Sequence, residues 1–288
     1  MLKNVPSDHA ACVELLLAKR REHGKATDVS PKWFSIQKVA KTRTHQASQP
    51  LVQRTPEWFR FRKGRMTGSK FSNLFFTDTE KELDVLRDRI FHDGPKEKFD
   101  EASLARMNWG SQHEDHAAAE MIQAFPNLIG FESSIVAHPT VEWIAASPDG
   151  TLALLDADAG TFTHLNCEIK CPAPKEDTGK VLQKAHPHYY YMPQIHMEMV
   201  CTGTRTTIFV IWTPETTRMW AVEFDQGFHD AMVELTVAFK DKSCTFAQFM
   251  GRREYLKEWA TRISNQATTL HPGKGFTSTF TKDGFKLQ

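Results

Sequence analysis

Ser147-Pro148-Asp149-Gly150 opens the stretch that decides the fold, and Cys167-Glu168-Ile169-Lys170-Cys171-Pro172 closes it. Residues 151–155 are short and apolar, which is typical of a strand, whereas residues 156–161 hold two Asp, a Gly and small residues, which favour a turn. Residues 164–171 then form a second strand. We therefore predict two strands joined by a loop, with the two motifs at the same end of the pair.

Side chains alternate along a strand, so Glu168 and Lys170 share one face while Cys167 and Ile169 point the other way. A hairpin returns the chain on itself, and this would bring the carboxylate of Asp149 beside Glu168. The sequence therefore predicts that two carboxylates and one ammonium group meet at one spot.

This grouping suits a hard divalent cation, because Mg²⁺ takes oxygen ligands in octahedral geometry and usually only one or two carboxylates from the protein. Asp149 and Glu168 would be ligands together with the Ile169 carbonyl, and Lys170 would orient or deprotonate a water or stabilise developing charge. An isolated Glu-x-Lys is more often a solvated ion pair. The Ser-Pro-Asp-Gly motif at hairpin distance favours a metal site for phosphodiester hydrolysis.

The composition is that of a globular protein: the chain has 288 residues, of which 40% are hydrophobic and 25% charged. It favours one large α/β domain. No apolar run approaches the roughly 20 residues of a membrane span, and no secretion signal is recognisable, so we expect an intracellular protein of the cytoplasm or nucleus without a membrane partner. Five cysteines indicate a reducing compartment rather than a disulfide framework.

The net charge of +1 hides an asymmetry, because residues 1–70 carry 15 Lys and Arg against 5 Asp and Glu. This excess indicates either a polyanionic partner or a solvated flexible arm. We divide the chain into a basic extension and linker (1–53, with a short helix over 10–21), a nuclease domain (54–264) and a flexible tail (265–288).

Two helices follow the linker. The first begins at Thr55-Pro56-Glu57, a cap residue followed by Pro, and the second follows Met66-Thr67-Gly68-Ser69 and runs to Phe76. Arg62, Thr67 and Ser69 could seat a phosphate at the second N-terminus. On local sequence alone, ordinary capping by Thr67 or Ser69 is the favoured alternative.

A helix over 80–91 precedes a long one over 101–125, whose inward face we predict from helical spacing to hold Leu104, Met107, Gly110, Ala117, Met121 and Phe125. Glu114 lies on that face, where a carboxylate is costly unless it is paired or bound to metal. Neighbouring His113 and His116 offer only a weak zinc site. Histidines 164, 186 and 188 with Cys167 and Cys171 are better interpreted as ordinary histidines and core cysteines.

The remaining elements are predicted more coarsely. They are strands over 129–137 and 143–146, a polar helix over 175–184, a helix over 188–199 bent by Pro193 and carrying Gln194, an antiparallel strand pair over 205–212 and 218–224, and helical sequence over 228–262 broken near 242–243.

The order of these motifs resembles the lambda exonuclease and YqaJ-type viral recombinase family of PD-(D/E)XK nucleases, over about 55–239. The motifs are Trp58-x3-Arg62, Thr67-Gly68-Ser69, Trp109-Gly110-x3-Glu114, Ser147-Pro148-Asp149-Gly150, Glu168-Ile169-Lys170-Cys171-Pro172 and Tyr191-Met192-Pro193-Gln194. The resemblance implies an α/β, restriction-endonuclease-like core, a central mixed β-sheet flanked by helices, here with a helical N-terminal extension. It also implies digestion of linear duplex DNA from 5′ ends with Mg²⁺, or Mn²⁺ as a substitute, in recombination or repair.

The resemblance also assigns roles by position. It makes Asp149, Glu168 and the Ile169 carbonyl metal ligands, and Lys170 the catalytic lysine. It puts Glu114 beside the metals and Gln194 at the catalytic site, and it makes Arg62, Ser69 and Thr67 the pocket for a 5′-phosphate, which overturns the local preference for capping. Expected partners are duplex DNA ends, a single-strand annealing protein and two further copies in a homotrimer.

Two other hypotheses compete with a 5′-to-3′ exonuclease. A structure-specific or restriction-like endonuclease could use the same site, but it would not need the end-binding residues Arg62 and Ser69. A DNA-binding module that does not cleave is disfavoured because all four charged site residues are present: Glu114, Asp149, Glu168 and Lys170.

Overall fold

The computed structural model describes residues 34–35, 51, 53–92, 94, 98–124, 128–156, 161–174, 184–214, 216–271, 278–281 and 284–287. The helix expected over 10–21, most of the linker, the turn at 157–160 and all but Lys184 of the polar helix over 175–184 lie outside the described residues.

The helices are α1 (Pro56–Arg62), α2 (Gly68–Phe71), α3 (Glu80–Phe91), α4 (Glu101–Ala124), α5 (Met192–Thr202), α6 (Gln226–Asp241) and α7 (Phe246–Gln266), with 3-10 helices at Ser72–Phe76 and Tyr189–Tyr191. The strands are β1 (Phe34–Ser35), β2 (Met66–Thr67), β3 (Leu128–Glu132), β4 (Val136–Ala137), β5 (Ile144–Ala146), β6 (Gly150–Asp156), β7 (Thr161–Lys170), β8 (Thr206–Thr213), β9 (Thr216–Glu223), β10 (Thr268–His271), β11 (Ser278–Thr281) and β12 (Gly284–Leu287).

A seven-stranded mixed sheet with the order β1-β3-β6-β7-β8-β9-β10 is the centre of the fold. The pairs β1–β3 and β7–β8 are parallel and the other pairs of this sheet are antiparallel. A small sheet of order β2-β5-β4 lies apart from it, and β11 pairs with β12. The predicted mixed α/β architecture is confirmed.

Helices cover both faces of the large sheet. On one face, α4 buries Ala117, Ala118 and Met121 against Cys167 and Ile169 of β7 and residues of the neighbouring strands. On the other face, α5, α6 and α7 join a larger apolar cluster that also takes in α2 and α3. Because β7 is central, one of its faces looks toward α4 and the other toward α5. No helix of the described residues is long and apolar enough to span a membrane.

Several helix boundaries follow from local chemistry. Thr55 caps α1 by accepting a hydrogen bond from the Trp58 amide, and Thr79 forms a capping box with Glu82 at the start of α3. The break between α6 and α7 comes at Lys242, whose φ of 50° ends the helix in the left-handed region, as predicted near 242–243.

Four details differ from the sequence-based expectations. The predicted strand over 129–137 divides between two sheets, into β3 and β4. The second helix starts at Gly68 and becomes a 3-10 helix from Ser72. The tail over 265–288, which was expected to be flexible, is regular secondary structure at its beginning, since α7 continues to Gln266 and β10 pairs with β9 as an edge strand of the large sheet. Finally, Leu104 and Met107 are exposed, because only the second half of α4 lies against the sheet.

Candidate nuclease-like active site

The end of β7 holds the two residues on which the predicted site depends. Cys167 and Ile169 are buried in the apolar cluster under α4, so Glu168 and Lys170 point to the opposite face, as predicted. The Lys170 ammonium donates a hydrogen bond to Glu168 Oε1. The Glu168 side chain is 1% exposed and that of Lys170 is 30% exposed, so the lysine reaches the surface while its partner does not.

Asp149 lies where the hairpin prediction puts it. Gly150 of β6 pairs with Cys167 of β7 in antiparallel register, so Asp149 comes next to Glu168. Asp149 Oδ2 accepts a hydrogen bond of 2.8 Å from the Ile169 amide, and the charge of Glu168 acts on the Asp149 carboxyl. The structure therefore brings Asp149, Glu168 and Lys170 together from two separate motifs.

Glu114 approaches the same place from α4, on the other side of the sheet. Its carboxylate is 3.4 Å from a guanidinium nitrogen of Arg54 and is 33% exposed. Burial and then the neighbouring charge of Asp149 raise the pKa of Glu114 to about 7. The two acids are thus electrostatic neighbours, although Glu114 is engaged by an arginine that was not predicted from the sequence.

Gln194 completes the site from α5. Pro193 does not bend this helix, contrary to the prediction, because the helix begins at Met192 and Pro193 occupies its first turn, where no amide donor is needed. The buried Gln194 side-chain nitrogen donates to Glu168 Oε1 and, at 2.8 Å, to Glu198 Oε1. Gln194 therefore ties the acid on the sheet to an acid on the helix.

Glu198 and Asn166 belong to this network and were missed from the sequence. The side-chain nitrogen of Asn166 donates to Glu198 Oε2 at 3.0 Å and to the Thr207 hydroxyl at 3.2 Å. A signal existed, since Asn166 shares the strand face of Glu168 and Glu198 lies one helical turn after Gln194. This spacing is informative only once the face of β7 that carries Asn166 and Glu168 is known to lie against α5.

We call Asp149, Glu168 and Glu198 the carboxylate cluster. Burial raises the pKa of Asp149 to about 7 and that of Glu168 to about 8, with further increases from Glu168 and Glu198 respectively. Burial likewise raises the pKa of Glu198 to about 7. Burial acts to lower the pKa of Lys170, but the charges of Glu168 and Asp149 outweigh it and the pKa is raised. The cluster thus concentrates negative charge that one ammonium group only partly balances.

The donor set fits a hard divalent ion on two observations. Glu168 Oε2 is buried and, among the described residues, has no hydrogen-bond partner, which leaves a desolvated carboxyl oxygen unsatisfied. The acids also raise one another's pKa, which a cation would relieve. Within the described residues no three His, Cys, Asp or Glu side chains are grouped as ligands of one ion, so at most two carboxylates, here those of Asp149 and Glu168, would bind it from the protein. Protein ligation through two carboxylates plus other oxygens is the arrangement that suits Mg²⁺.

A second region, the guanidinium pocket, consists of Arg62, Thr67 and Ser69. A guanidinium nitrogen of Arg62 donates to the Thr67 hydroxyl at 3.2 Å and to the Ser69 hydroxyl at 3.5 Å. The Arg62 group also lies over the Trp58 ring, 4.2 Å from its centroid. Burial lowers the pKa of Arg62 to about 10.

The contacts of this pocket exclude one of the two interpretations of Thr67 and Ser69, ordinary helix capping. Within the described residues, Thr67 precedes α2 without a side-chain capping bond, and Ser69 lies inside the helix rather than before it. Both hydroxyls turn instead to Arg62. Capping, the alternative favoured on local sequence, is therefore wrong.

Gly68 joins the two regions. A methyl group added at its Cα would lie 3.3 Å from both the side-chain Cγ and the backbone oxygen of Gln194. A side chain here would press on the residue that binds Glu168. Helix α2, which carries Ser69, and helix α5, which carries Gln194, are thus in close contact at a residue without a side chain.

Histidines and cysteines near the site take part in packing. His113 stacks between Trp109 and Trp212, and His116 also stacks on Trp212. Cys167 and Cys171 are free thiols buried in the apolar cluster. This agrees with the prediction of core cysteines.

Comparisons with known proteins agree with the motif resemblance. The YqaJ-like viral recombinase domain matches residues 57–205, a span that includes both regions described above. The crystal structure of an alkaline exonuclease, LHK-Exo from Laribacter hongkongensis, is similar with a TM-score of 0.51 and 25% identity, covering 73% of this chain and 100% of that one. The structure of LHK-Exo in complex with dAMP gives a TM-score of 0.51, 24% identity and the same coverage. Curated protein sequences give no match.

Proposed function

This chain belongs to the YqaJ-like viral recombinase domain family, and from that premise we propose that it is a metal-dependent exonuclease of linear double-stranded DNA. We propose a 5′-to-3′ direction and a role in DNA recombination or repair. The observation that carries the proposal is the convergence of Asp149, Glu168 and Lys170 at the end of β7, in contact through Gln194 and Gly68 with a guanidinium pocket. The similarity to an alkaline exonuclease supports the same reaction class.

Asp149, Glu168 and the Ile169 carbonyl would hold Mg²⁺, or Mn²⁺ in its place, with Glu114 at the edge of the site. When bound, such an ion lowers the pKa of a coordinated water and neutralises charge on the phosphate. Glu168 Oε2 is the unsatisfied oxygen that supports this assignment. Glu114 would first have to exchange its contact with Arg54.

Lys170 acts as a cation rather than as a base in this proposal. Its pKa is raised by the carboxylates despite burial, so the ammonium form is favoured. Glu168 holds the Lys170 nitrogen in place, and Lys170 is partly exposed, so its ammonium group can face substrate. There it can donate a hydrogen bond to a water or a phosphate oxygen. Gln194 and Glu198 keep Glu168 in position, since their hydrogen bonds join α5 to β7.

The guanidinium pocket would receive the terminal 5′-phosphate. The Arg62 guanidinium, which can donate two parallel hydrogen bonds to a phosphate, lies over the Trp58 ring. One of its nitrogens donates to the hydroxyls of Thr67 and Ser69. An enzyme that cuts inside a duplex has no use for such a pocket, and this favours the exonuclease over the endonuclease. A homotrimer and a single-strand annealing partner remain proposals that rest on the family resemblance.

The test is digestion of matched duplexes by the purified protein with Mg²⁺ and, separately, with EDTA. We expect loss of a linear 5′-phosphorylated duplex with Mg²⁺ only, and no change in a closed circle of the same sequence. Nicking of the circle would establish an endonuclease instead. Intact DNA in every reaction would favour a DNA-binding module that does not cleave. Strands labelled at one end give the polarity, because a 5′-to-3′ enzyme releases a 5′ label first.

A further inference from the structure

An exposed aromatic surface lies beside the guanidinium pocket. The 3-10 helix Ser72–Phe76 follows α2, which carries Ser69, without a break. At its end the Phe76 side chain is 57% exposed, and its ring meets that of Tyr190 edge to face at 5.9 Å between centroids. Phe76 therefore shows most of its ring to solvent while Tyr190 holds it in place.

Tyr190 connects this surface to the segment that precedes α5. Its backbone oxygen accepts a hydrogen bond of 2.8 Å from the Ser72 hydroxyl, and its ring is 4.1 Å from that of Tyr191. Burial raises the pKa of Tyr190, and the charge of Lys170 opposes the increase. The exposed ring thus belongs to a row of neighbouring aromatic rings that continues through Tyr190 to Tyr191.

Cationic side chains run along the same surface. An open groove of about 660 Å³ is lined by Phe76 together with Lys81 and Arg89 of α3. Lys70 follows Ser69 on α2 and is half-buried, and burial, followed by the nearby charges of Arg62 and Arg89, lowers its pKa.

The groove contains one carboxylate among its lining residues, that of Glu82. One oxygen of this group accepts hydrogen bonds from the Asp78 and Thr79 amides at the start of α3. Its charge is therefore directed toward the helix N-terminus, and the remaining charged groups of the groove are positive.

We propose that the groove binds an unpaired stretch of DNA strand, with a base stacked on Phe76 and phosphates on Lys70 and Arg89. A base inside a duplex already has both faces covered, so a single exposed ring favours an unpaired base. The row of cations complements a polyanionic strand. This inference rests on the proposed function for its substrate class, but it concerns binding and is independent of cleavage.

The experiment measures binding of a fluorescent single-stranded oligonucleotide of mixed sequence in EDTA, where the proposed cleavage is switched off. Phe76→Leu should weaken binding roughly tenfold because it removes the stacking face and keeps an apolar side chain, and Phe76→Trp should restore it. Tyr255→Leu is the matched control, since Tyr255 is a comparably exposed aromatic on α7. Unchanged binding by Phe76→Leu, or an equal loss in Tyr255→Leu, overturns the proposal.

Two further measurements separate base stacking from general attraction. Arg89→Gln should reduce the slope of log K against log salt by about 0.7, the value for one phosphate contact on a single strand. Phe76→Leu should leave the affinity for a blunt duplex unchanged, and an equal loss on the duplex would contradict an unpaired base. Digestion assays with the same variants test the proposed function separately, so a failure of one is not a failure of the other.

Discussion

The carboxylate cluster and the guanidinium pocket are built in opposite ways. Asp149 and Glu168 are held on strands of the central sheet, in surroundings that raise the pKa of each. Arg62 lies on a helix of seven residues, and the Ser69 side chain that it contacts is exposed. The carboxylate cluster is thus shielded from water and supported by long elements of the fold, whereas the guanidinium pocket is partly open to solvent and lies on short helices.

The difference separates two tasks. Negative charge packed away from water is costly to the fold and is retained where a cation has to be bound. A half-buried guanidinium with two hydroxyls is suited to recognising an anion that arrives from solvent. We therefore expect the cluster to govern the rate on every substrate and the pocket to govern only the choice of DNA end.

Replacement of Lys170 by Ala is the largest expected effect. It removes the ammonium group that contacts Glu168 and that would face the substrate in the proposed function, and we expect at least about a 10³-fold loss of cleavage. The loss should be equal on 5′-phosphorylated and 5′-hydroxyl ends, measured as initial rates. Circular dichroism serves as the fold control, and full activity in a folded variant would refute the assignment.

Glu198→Ala should cost about 10²-fold in kcat. It leaves the buried side-chain nitrogens of Gln194 and Asn166 each short of an acceptor, so we also expect a free energy of unfolding lower by roughly 1–3 kcal/mol. Thr236→Ala, which removes a buried hydroxyl from α6, is a control for stability alone. If both variants retain the wild-type kcat, Glu198 has no part in positioning the site.

Some residues of the candidate active site could be predicted from the sequence and others could not. Strand alternation was sufficient to place Glu168 and Lys170 on one face, and hairpin geometry was sufficient for Asp149. Predicting the role of Glu198 requires knowing that β7 packs against α5, which is a tertiary contact with no local signature in the sequence. The effect of Pro193 depended on where α5 begins, because the same proline kinks a helix interior but is neutral in a first turn.

The same limit applies to the fold as a whole. The bounds of α3 were predicted from local sequence, and the structure adds a local capping motif of Thr79 and Glu82 at its start. By contrast, the exposure of Leu104 and the pairing of β10 depend on how far the sheet extends. Periodicity states which residues share a helix face and does not state what covers that face.

Arg62→Gln tests the other side of the comparison. It keeps a polar side chain but removes the charge that the Thr67 and Ser69 hydroxyls contact. We expect about a 10–100-fold loss on 5′-phosphorylated ends and little change on 5′-hydroxyl ends, so that the preference between ends disappears. An equal loss on both ends would show that the pocket serves catalysis rather than end recognition.

The pH dependence of stability distinguishes the two regions without any substrate. Raised carboxyl pKa values mean that the native state binds protons more tightly than the unfolded state, so stability falls as pH rises through about 7 to 8. In EDTA we therefore expect a higher melting temperature at about pH 6.5 than at about pH 8. Glu114→Gln should flatten the slope, because it removes one of the coupled acids.

Adding Mg²⁺ should reverse that trend, since metal ligands must be ionised and an ion bound only by the native state stabilises it. The gain in melting temperature should therefore be larger at the alkaline end of the range, and activity should fall toward acid pH. A melting temperature that is independent of both pH and Mg²⁺ would mean that the cluster is not a cation site.

Gly68→Ala is the smallest expected effect and tests whether the two regions act together. The added methyl group would lie 3.3 Å from Gln194, close enough to displace its side chain by a few tenths of an ångström. We expect kcat to fall roughly threefold on both kinds of end, a small fraction of the ~100-fold that a 1 Å misplacement can cost. The close contact should offset the preference of a helix interior for Ala over Gly, about 1 kcal/mol, so we expect little net change in stability. Gly251→Ala in α7 is the matched control, since no described heavy atom other than its own helix backbone and chain neighbours lies within 4 Å of its added methyl. Gly251→Ala should raise the free energy of unfolding by up to about 1 kcal/mol with unchanged kcat. A loss of kcat confined to 5′-phosphorylated ends in Gly68→Ala would show instead that the methyl group perturbs only the guanidinium pocket.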